Sequence, residues 1–170
     1  MGTDEGAALL RRDGAGPRPF TLRGVPEEHS PAPVALSDQD CLRLLGTVRV
    51  GRVAVSMDAL PVVLPVMFGM CDQGIVVRTV IGTRLDAAMA GSVVAFHADD
   101  YRAPGGNGGV PTGWSVLVQG RAFELVDAPV LEQARALGLP SWAPPNASDR
   151  YLCIEPALLS GRWYGTRTRP

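Results

Sequence analysis

Two guanidiniums and two hydroxyls crowd one short stretch of the chain, Arg78-Thr79-Val80-Ile81-Gly82-Thr83-Arg84. Thr83 stands three residues before Asp86, the spacing of a helix cap, and Leu85, Ala88 and Met89 fall on one helical face. A helix that starts at Thr83 directs free backbone N–H groups and the positive end of its dipole back toward the turn. Arg78 and Thr79 leave the preceding apolar run toward the same place. Arg84 adds a second fork suited to a phosphate dianion. Phosphate binding is the chemistry this pattern suits. The same spacing also fits a capped helix with surface arginines, and Asp86 must face away from any bound anion.

Few other side chains could react. His29 lies in a proline-rich N-terminal stretch, and His97 lies in a strand beside Asp99 and Asp100, where a solvated strand end accounts for all three. No Ser-His-Asp set, His-x-x-x-His or paired-carboxylate motif stands out, so no catalytic residue and no metal ligand is singled out. Cys41, Cys71 and Cys153 are odd in number, far apart and free of any Cys-x-x-Cys, which reads as three small apolar packers. Trp114-Ser115 opens a strand, and a tryptophan there serves the core or covers a flat ligand. A phosphate grip with aromatic surfaces and almost no reactive side chains suits a protein whose cofactor supplies the reactivity.

The bulk numbers narrow the class. The 170 residues suffice for one domain, and 46% hydrophobic with 19% charged residues is a soluble globular composition. A net charge of −1 and a pI near 6.1 argue against a nucleic-acid or anionic-membrane partner. All 16 basic residues are arginine, which removes lysine Schiff-base and P-loop chemistry and resembles the usage of high-GC bacterial genomes. The longest apolar run, Leu60 to Cys71, is interrupted by Pro61 and Pro65 and is too short to span a membrane. No apolar segment follows Arg11-Arg12, so a cytoplasmic protein is expected.

The elements that must hold the turn read as follows. Residues 1 to 35 form a flexible arm, since prolines at 17, 19, 26, 31 and 33 forbid a regular helix. Ser37 and Asp40 cap a helix over 37–46. Valine-rich strands at 48–57, 61–70 and 75–80 follow, joined by turns at Asp58-Ala59 and Asp72-Gln73-Gly74. A fourth strand carries His97, a glycine-rich loop occupies 101–112, and a long fifth strand starts near Trp114. A helix opens at Pro129. "YLCIEP" and "GRWYG" close as sixth and seventh strands. About seven strands with helices only at crossovers and ends suit a small closed barrel.

Taken in order, "SDQDCLRLLGTVRVGRVAV", "PVVLPVMF", "RTVIGTRLDAA", "VAFHADD" and "GWSVLVQGRAFEL" resemble the pyridoxamine 5′-phosphate oxidase-like proteins. The chain is most similar to the branch that includes nitroimidazole-resistance proteins. The resemblance covers residues 36–164 and leaves 165–170 as a tail. It implies a mainly β split barrel of six to seven antiparallel strands with short peripheral helices. It also implies a homodimer with flavin mononucleotide (FMN) at the subunit interface. Arg78, Thr79, Thr83 and Arg84 would hold the flavin phosphate. Pro65, Val66, Met67 and Phe68 would line the ring, and Trp114 and Ser115 would join from the fifth strand of either subunit. The implied activity is that of an oxidoreductase: a nicotinamide donor or a substrate reduces the flavin, and a second small molecule takes the electrons. Two alternatives stay open, a deazaflavin-dependent reductase and a non-catalytic flavin or heme sensor with Met67, His97 or a cysteine as axial ligand. Many relatives read Pro-Val-Asn-Tyr at Pro65-Val66-Met67-Phe68 and carry lysine at Arg84. The C-terminal "GRWYGTRTRP" lacks the arginine- and histidine-bearing motifs of the vitamin-processing oxidases.

Overall fold

Short valine-rich segments with tight turns between them can satisfy their backbone groups only by pairing with one another. The computed structural model describes residues 32–102, 111–140 and 148–165. The chain runs β1 (Val34–Ala35), α1 (Asp38–Leu45), β2 (Val50–Met57), β3 (Leu60–Cys71), β4 (Gly74–Val80), α2 (Arg84–Met89), β5 (Val93–Arg102), β6 (Thr112–Glu124), α3 (Ala128–Ala136) and β7 (Asp149–Tyr164). Most of the expected arm, with His29, lies outside the described residues. So do the middle of the glycine-rich loop and most of the C-terminal tail. Val34 and Ala35, at the end of that arm, pair with Trp163 and Arg162.

The seven strands form one antiparallel sheet in the order β1-β7-β4-β3-β2-β5-β6, and a further β7–β6 ladder closes it into a barrel. The hairpin at Asp58-Ala59 uses positive φ at both residues, 50° and 65°, the twist that a two-residue turn needs between right-twisted strands. The two closing strands of the sequence reading are one. β7 runs unbroken for 16 residues. Pro156, which suggested a break, lies beside the irregularity at Gln119/Gly120 and beyond the end of the β4 ladder at Ile154, so its missing N–H costs no pairing there.

Gly120 permits that irregularity. A Cβ built on it would lie 1.8 Å from the Glu155 carbonyl oxygen, a backbone atom that can move only with its ladder. Gly120→Ala is therefore expected to cost about 3 kcal/mol or more. That corresponds to a fall of roughly 6 °C or more in Tm for a domain of this size, read by circular dichroism.

Two apolar layers share the sheet. Inside the barrel, Val53, Val55, Val66, Phe68, Ile75, Val77, Phe96, Val116, Val118 and Leu152 pack together, with Phe68 and Phe96 edge to face at 4.8 Å between centroids. Met89 of α2 and Leu45 of α1 join them. Outside it, Ala134 of α3 and Leu125 and Leu139 from the segments that flank the helix cover Val76 and Cys153. β4 is thus covered on both faces, which explains why its residues are apolar in succession and not in alternation. Burial, with Cys71 nearby, pushes the Cys153 thiol up to about 12. In the native protein at pH 8 iodoacetamide should leave Cys153 unmodified, and unfolding should expose it to labelling within the same assay. Labelling of native Cys153 would contradict its place in this layer.

Candidate functional site

The last turn of β4 sorts its polar residues by strand alternation. Thr79 is paired in register with Arg150 and Arg78 with Tyr151. Thr79 faces the barrel end, where its Oγ1 lies 3.1 Å from Thr83 Oγ1. Arg78 faces α3. Its Nη1 donates to the Leu139 carbonyl at 2.8 Å and its Nη2 to Asp149. The hydrogen bond to Asp149 holds the guanidinium above its ordinary pKa and keeps it charged. The structure therefore brings Thr79, Thr83 and Arg84 to one turn and places the Arg78 guanidinium on the other face of the strand.

Thr83 caps α2, accepting from Asp86 N–H at 3.2 Å and donating to the Val80 carbonyl at 2.8 Å. The helix has only six residues, so side chains and not a long dipole must carry any grip. Arg84 is exposed and makes no hydrogen bond or ion pair among the described residues. Asp86 is buried. Its Oδ2 accepts from Gly82 N–H at 3.0 Å, and both its oxygens receive Arg150 Nη1, at 2.9 and 3.2 Å. Its charge is thus met from inside the fold. Arg150 also approaches Glu124 at 3.2 Å. Sequence reasoning missed Arg150, because nothing in its neighbourhood marks it, and only the register of β7 against β4 puts it opposite Thr79.

β3 supplies the other wall. Its ladder with β4 spans only Phe68 to Cys71, after which β4 follows β7 and β3 follows β2. Pro65, Val66 and Met67 pair with β2 and have no strand partner on the β4 side among the described residues. Phe68 N–H donates to the Arg49 carbonyl at 3.0 Å. Even-numbered residues of this stretch thus bond to β2, and Pro65 and Met67 direct their backbone groups at the free edge. Their side chains point outward, whereas Val66 and Phe68 bury their side chains in the core and turn their backbone groups to β2, so Pro65 and Met67 are the residues of this stretch that face the open edge.

Trp114 and Ser115 also part by alternation. Trp114 is buried inside the barrel, and Ser115 lies on the outer face, level with Asp99 and Arg162. The outer face carries a cluster near Pro65: Arg52 Nη1 to Asp99 at 2.6 Å and His97 Nδ1 to Asp99 at 3.5 Å. Tyr101 and Tyr164 sit 5.5 Å apart beside it. Of the suggested axial ligands, Cys41 and Cys153 are buried, and His97 and Met67 lie partly exposed on the outer face. No group of three or more His, Cys, Asp or Glu side chains suited to a metal ion occurs among the described residues. No helix among them is long and apolar enough to cross a membrane.

The seven antiparallel strands, parted between β3 and β4 with a polar turn at the parting, make a split barrel, and comparison with known proteins agrees. The family model described as pyridoxamine 5′-phosphate oxidase matches residues 37–163. The chain belongs to this pyridoxamine 5′-phosphate oxidase-like family. An uncharacterised protein of Mycobacterium tuberculosis is 34% identical over 133 residues, covering 75% of this chain and 83% of that one. The FAD binding protein from Mycobacterium smegmatis is 28% identical, with a TM-score of 0.67 over 79% of this chain and 100% of its own. The FAD and heme binding protein from Mycobacterium smegmatis, at 18% identity and a TM-score of 0.59, covers 80% of this chain and 76% of its own and shares the fold.

Proposed function

We propose that this chain is a cytoplasmic, homodimeric flavoprotein that binds FMN between two copies and works as an oxidoreductase on a small molecule. The observation that carries the reading is the split itself. It leaves the free backbone edge of Pro65 and Met67 beside the Thr79–Thr83 hydroxyl pair, with the uncommitted Arg84 at the same turn. A phosphorylated flat cofactor needs this combination: hydroxyls and a guanidinium for the phosphate, and backbone donors and acceptors for the ring edge. The Met67 N–H and the Pro65 carbonyl are free for that edge. Arg78 anchors the strand that presents Thr79.

Once bound, the flavin would supply the electron-transfer chemistry that the side chains lack. Met67 and Phe68 bring no amide or hydroxyl, so the ring would be oriented by backbone contacts. The outer face supports a dimer: Val50, Val63, Leu117 and Leu158 are exposed there, and Val63 and Leu158 are 60% and 66% accessible. Ser115 and the Arg52–Asp99–His97 cluster share that face and would meet the second copy. The relative described as FAD-binding makes FAD the natural competitor, since both flavins carry a phosphate at the same distance from the ring.

The test is the absorption spectrum of the purified protein after incubation with FMN, FAD or a deazaflavin and gel filtration, with mass measured by light scattering. Flavin bands retained with FMN on a dimer are the expected result. Retention of FAD alone, or of a deazaflavin alone, would change the cofactor and keep the site. A colourless protein in all three, or a Soret band that no flavin displaces, would overturn the reading.

A further inference from the structure

Arg150 holds the hydroxyl turn from two sides. Its backbone is the register partner of Thr79 at the end of β4. Its side chain crosses to α2, where Nη1 donates to both carboxylate oxygens of Asp86, at 2.9 and 3.2 Å. Asp86 in turn accepts from the Gly82 N–H at 3.0 Å, and its own N–H donates to Thr83 Oγ1 at 3.2 Å. Residues 79–86 are thus clamped at both ends by one residue of β7. The Thr79 and Thr83 hydroxyls, 3.1 Å apart, lie inside the clamp.

The turn needs such a clamp. Six helical residues are too few to hold a helix in water by themselves. Gly82 takes a left-handed φ of 81°, and backbone freedom is greatest at such a glycine. The Asp86 side chain is only 6% accessible, so water does little for its charge. Replacing a buried ion pair by apolar residues is often neutral for stability, so what this pair contributes is direction. Asp86 fixes the Gly82 N–H and the Thr83 cap, and Arg150 ties Asp86 to the sheet. Arg150 itself is occupied on two sides, by Asp86 and by Glu124 at 3.2 Å. We propose that Arg150, acting through Asp86, is a positioning residue for the cofactor phosphate. It holds the Thr79 and Thr83 hydroxyls and the root of Arg84 in place without touching the phosphate. This inference rests on the flavin reading above.

The test compares FMN with riboflavin, which has the same ring and no phosphate, by fluorescence titration of the full-length protein. Loss of phosphate positioning weakens FMN alone, whereas damage to the fold weakens both. Arg150→Met should lower FMN affinity about tenfold, the scale of one misplaced charge-assisted contact, and leave riboflavin affinity unchanged. Arg150→Lys should restore the preference for FMN, because both Asp86 oxygens meet a single nitrogen and one ammonium can replace it. The double variant Asp86→Asn with Arg150→Met leaves no unpaired charge at the pair, so it keeps the fold where the single variant would not. It should lose the preference too. Thermal unfolding monitors every variant. A preference for FMN kept in both methionine variants would overturn the proposal. So would equal loss of both flavins in the double variant, or a lysine variant no better than methionine. Tighter FMN binding by Asp86→Asn alone would also overturn it, by showing that a released Arg150 meets the phosphate itself. A wild type that binds FMN no better than riboflavin removes the phosphate grip, and this role with it, while the ring site stands. A wild type that binds neither refutes the flavin reading and this inference together.

Discussion

Arg84→Glu is expected to emerge from gel filtration without flavin while melting within a degree or two of the wild type. Arg84 is exposed and uncommitted among the described residues, so its replacement disturbs no packing. A guanidinium–phosphate contact of the charge-assisted kind contributes about 1.5–3 kcal/mol, so Arg84→Ala should weaken FMN roughly 10- to 150-fold. The glutamate adds repulsion against the phosphate and takes affinity below what a column retains. Fluorescence titration of free flavin measures both variants. Arg78→Ala gives the contrasting result. Its guanidinium links Leu139 after α3 to Asp149 at the start of β7, so its loss should appear first as a lower Tm. Arg84→Glu that retained flavin at wild-type affinity would remove the turn from the site. Arg78→Ala that lost flavin at unchanged Tm would bring Arg78 into direct contact with the phosphate.

The largest stability effect is expected at Phe68. Its ring is fully buried against Phe96 at the place where the β3–β4 ladder gives out. Phe68→Ala should cost about 3–5 kcal/mol, combining lost apolar transfer with a cavity that the closed barrel cannot collapse into. In Tm this is a fall of roughly 6–20 °C. Phe68→Leu should recover most of it, which separates the volume effect from any polar role at this position. Full wild-type stability of Phe68→Ala would mean that the ring is not in the core.

Much of the architecture was legible in local pattern. Ser37 and Thr83 cap helices as their spacing indicates, the turn at Asp72-Gln73 joins β3 to β4, and Pro129 lies in the first turn of α3. Each rests on neighbours in sequence, where a few residues decide the geometry. What stayed hidden depends on contacts between distant strands. Alternation could have warned that Arg78 and Thr79 point apart. The apolar run before them hid it, because β4 is buried on both faces and shows no polar–apolar rhythm. Trp114 and Ser115 separate for the same reason. The pairing of Asp86 with Arg150 spans 64 residues and has no local signature. The fusion of the last two strands was hidden by Pro156, whose cost depends on what stands beside it.

The free edge of β3 has one more consequence. Strand parity turns the nitrogens of Pro61 and Pro65 toward that edge, and neither nitrogen carries a hydrogen. An invading strand from another molecule would meet two missing donors in five residues and could not zip along it. The open edge is therefore a poor template for runaway sheet growth. A chain so rich in valine can keep its barrel unzipped at one seam and still resist polymerising into fibres.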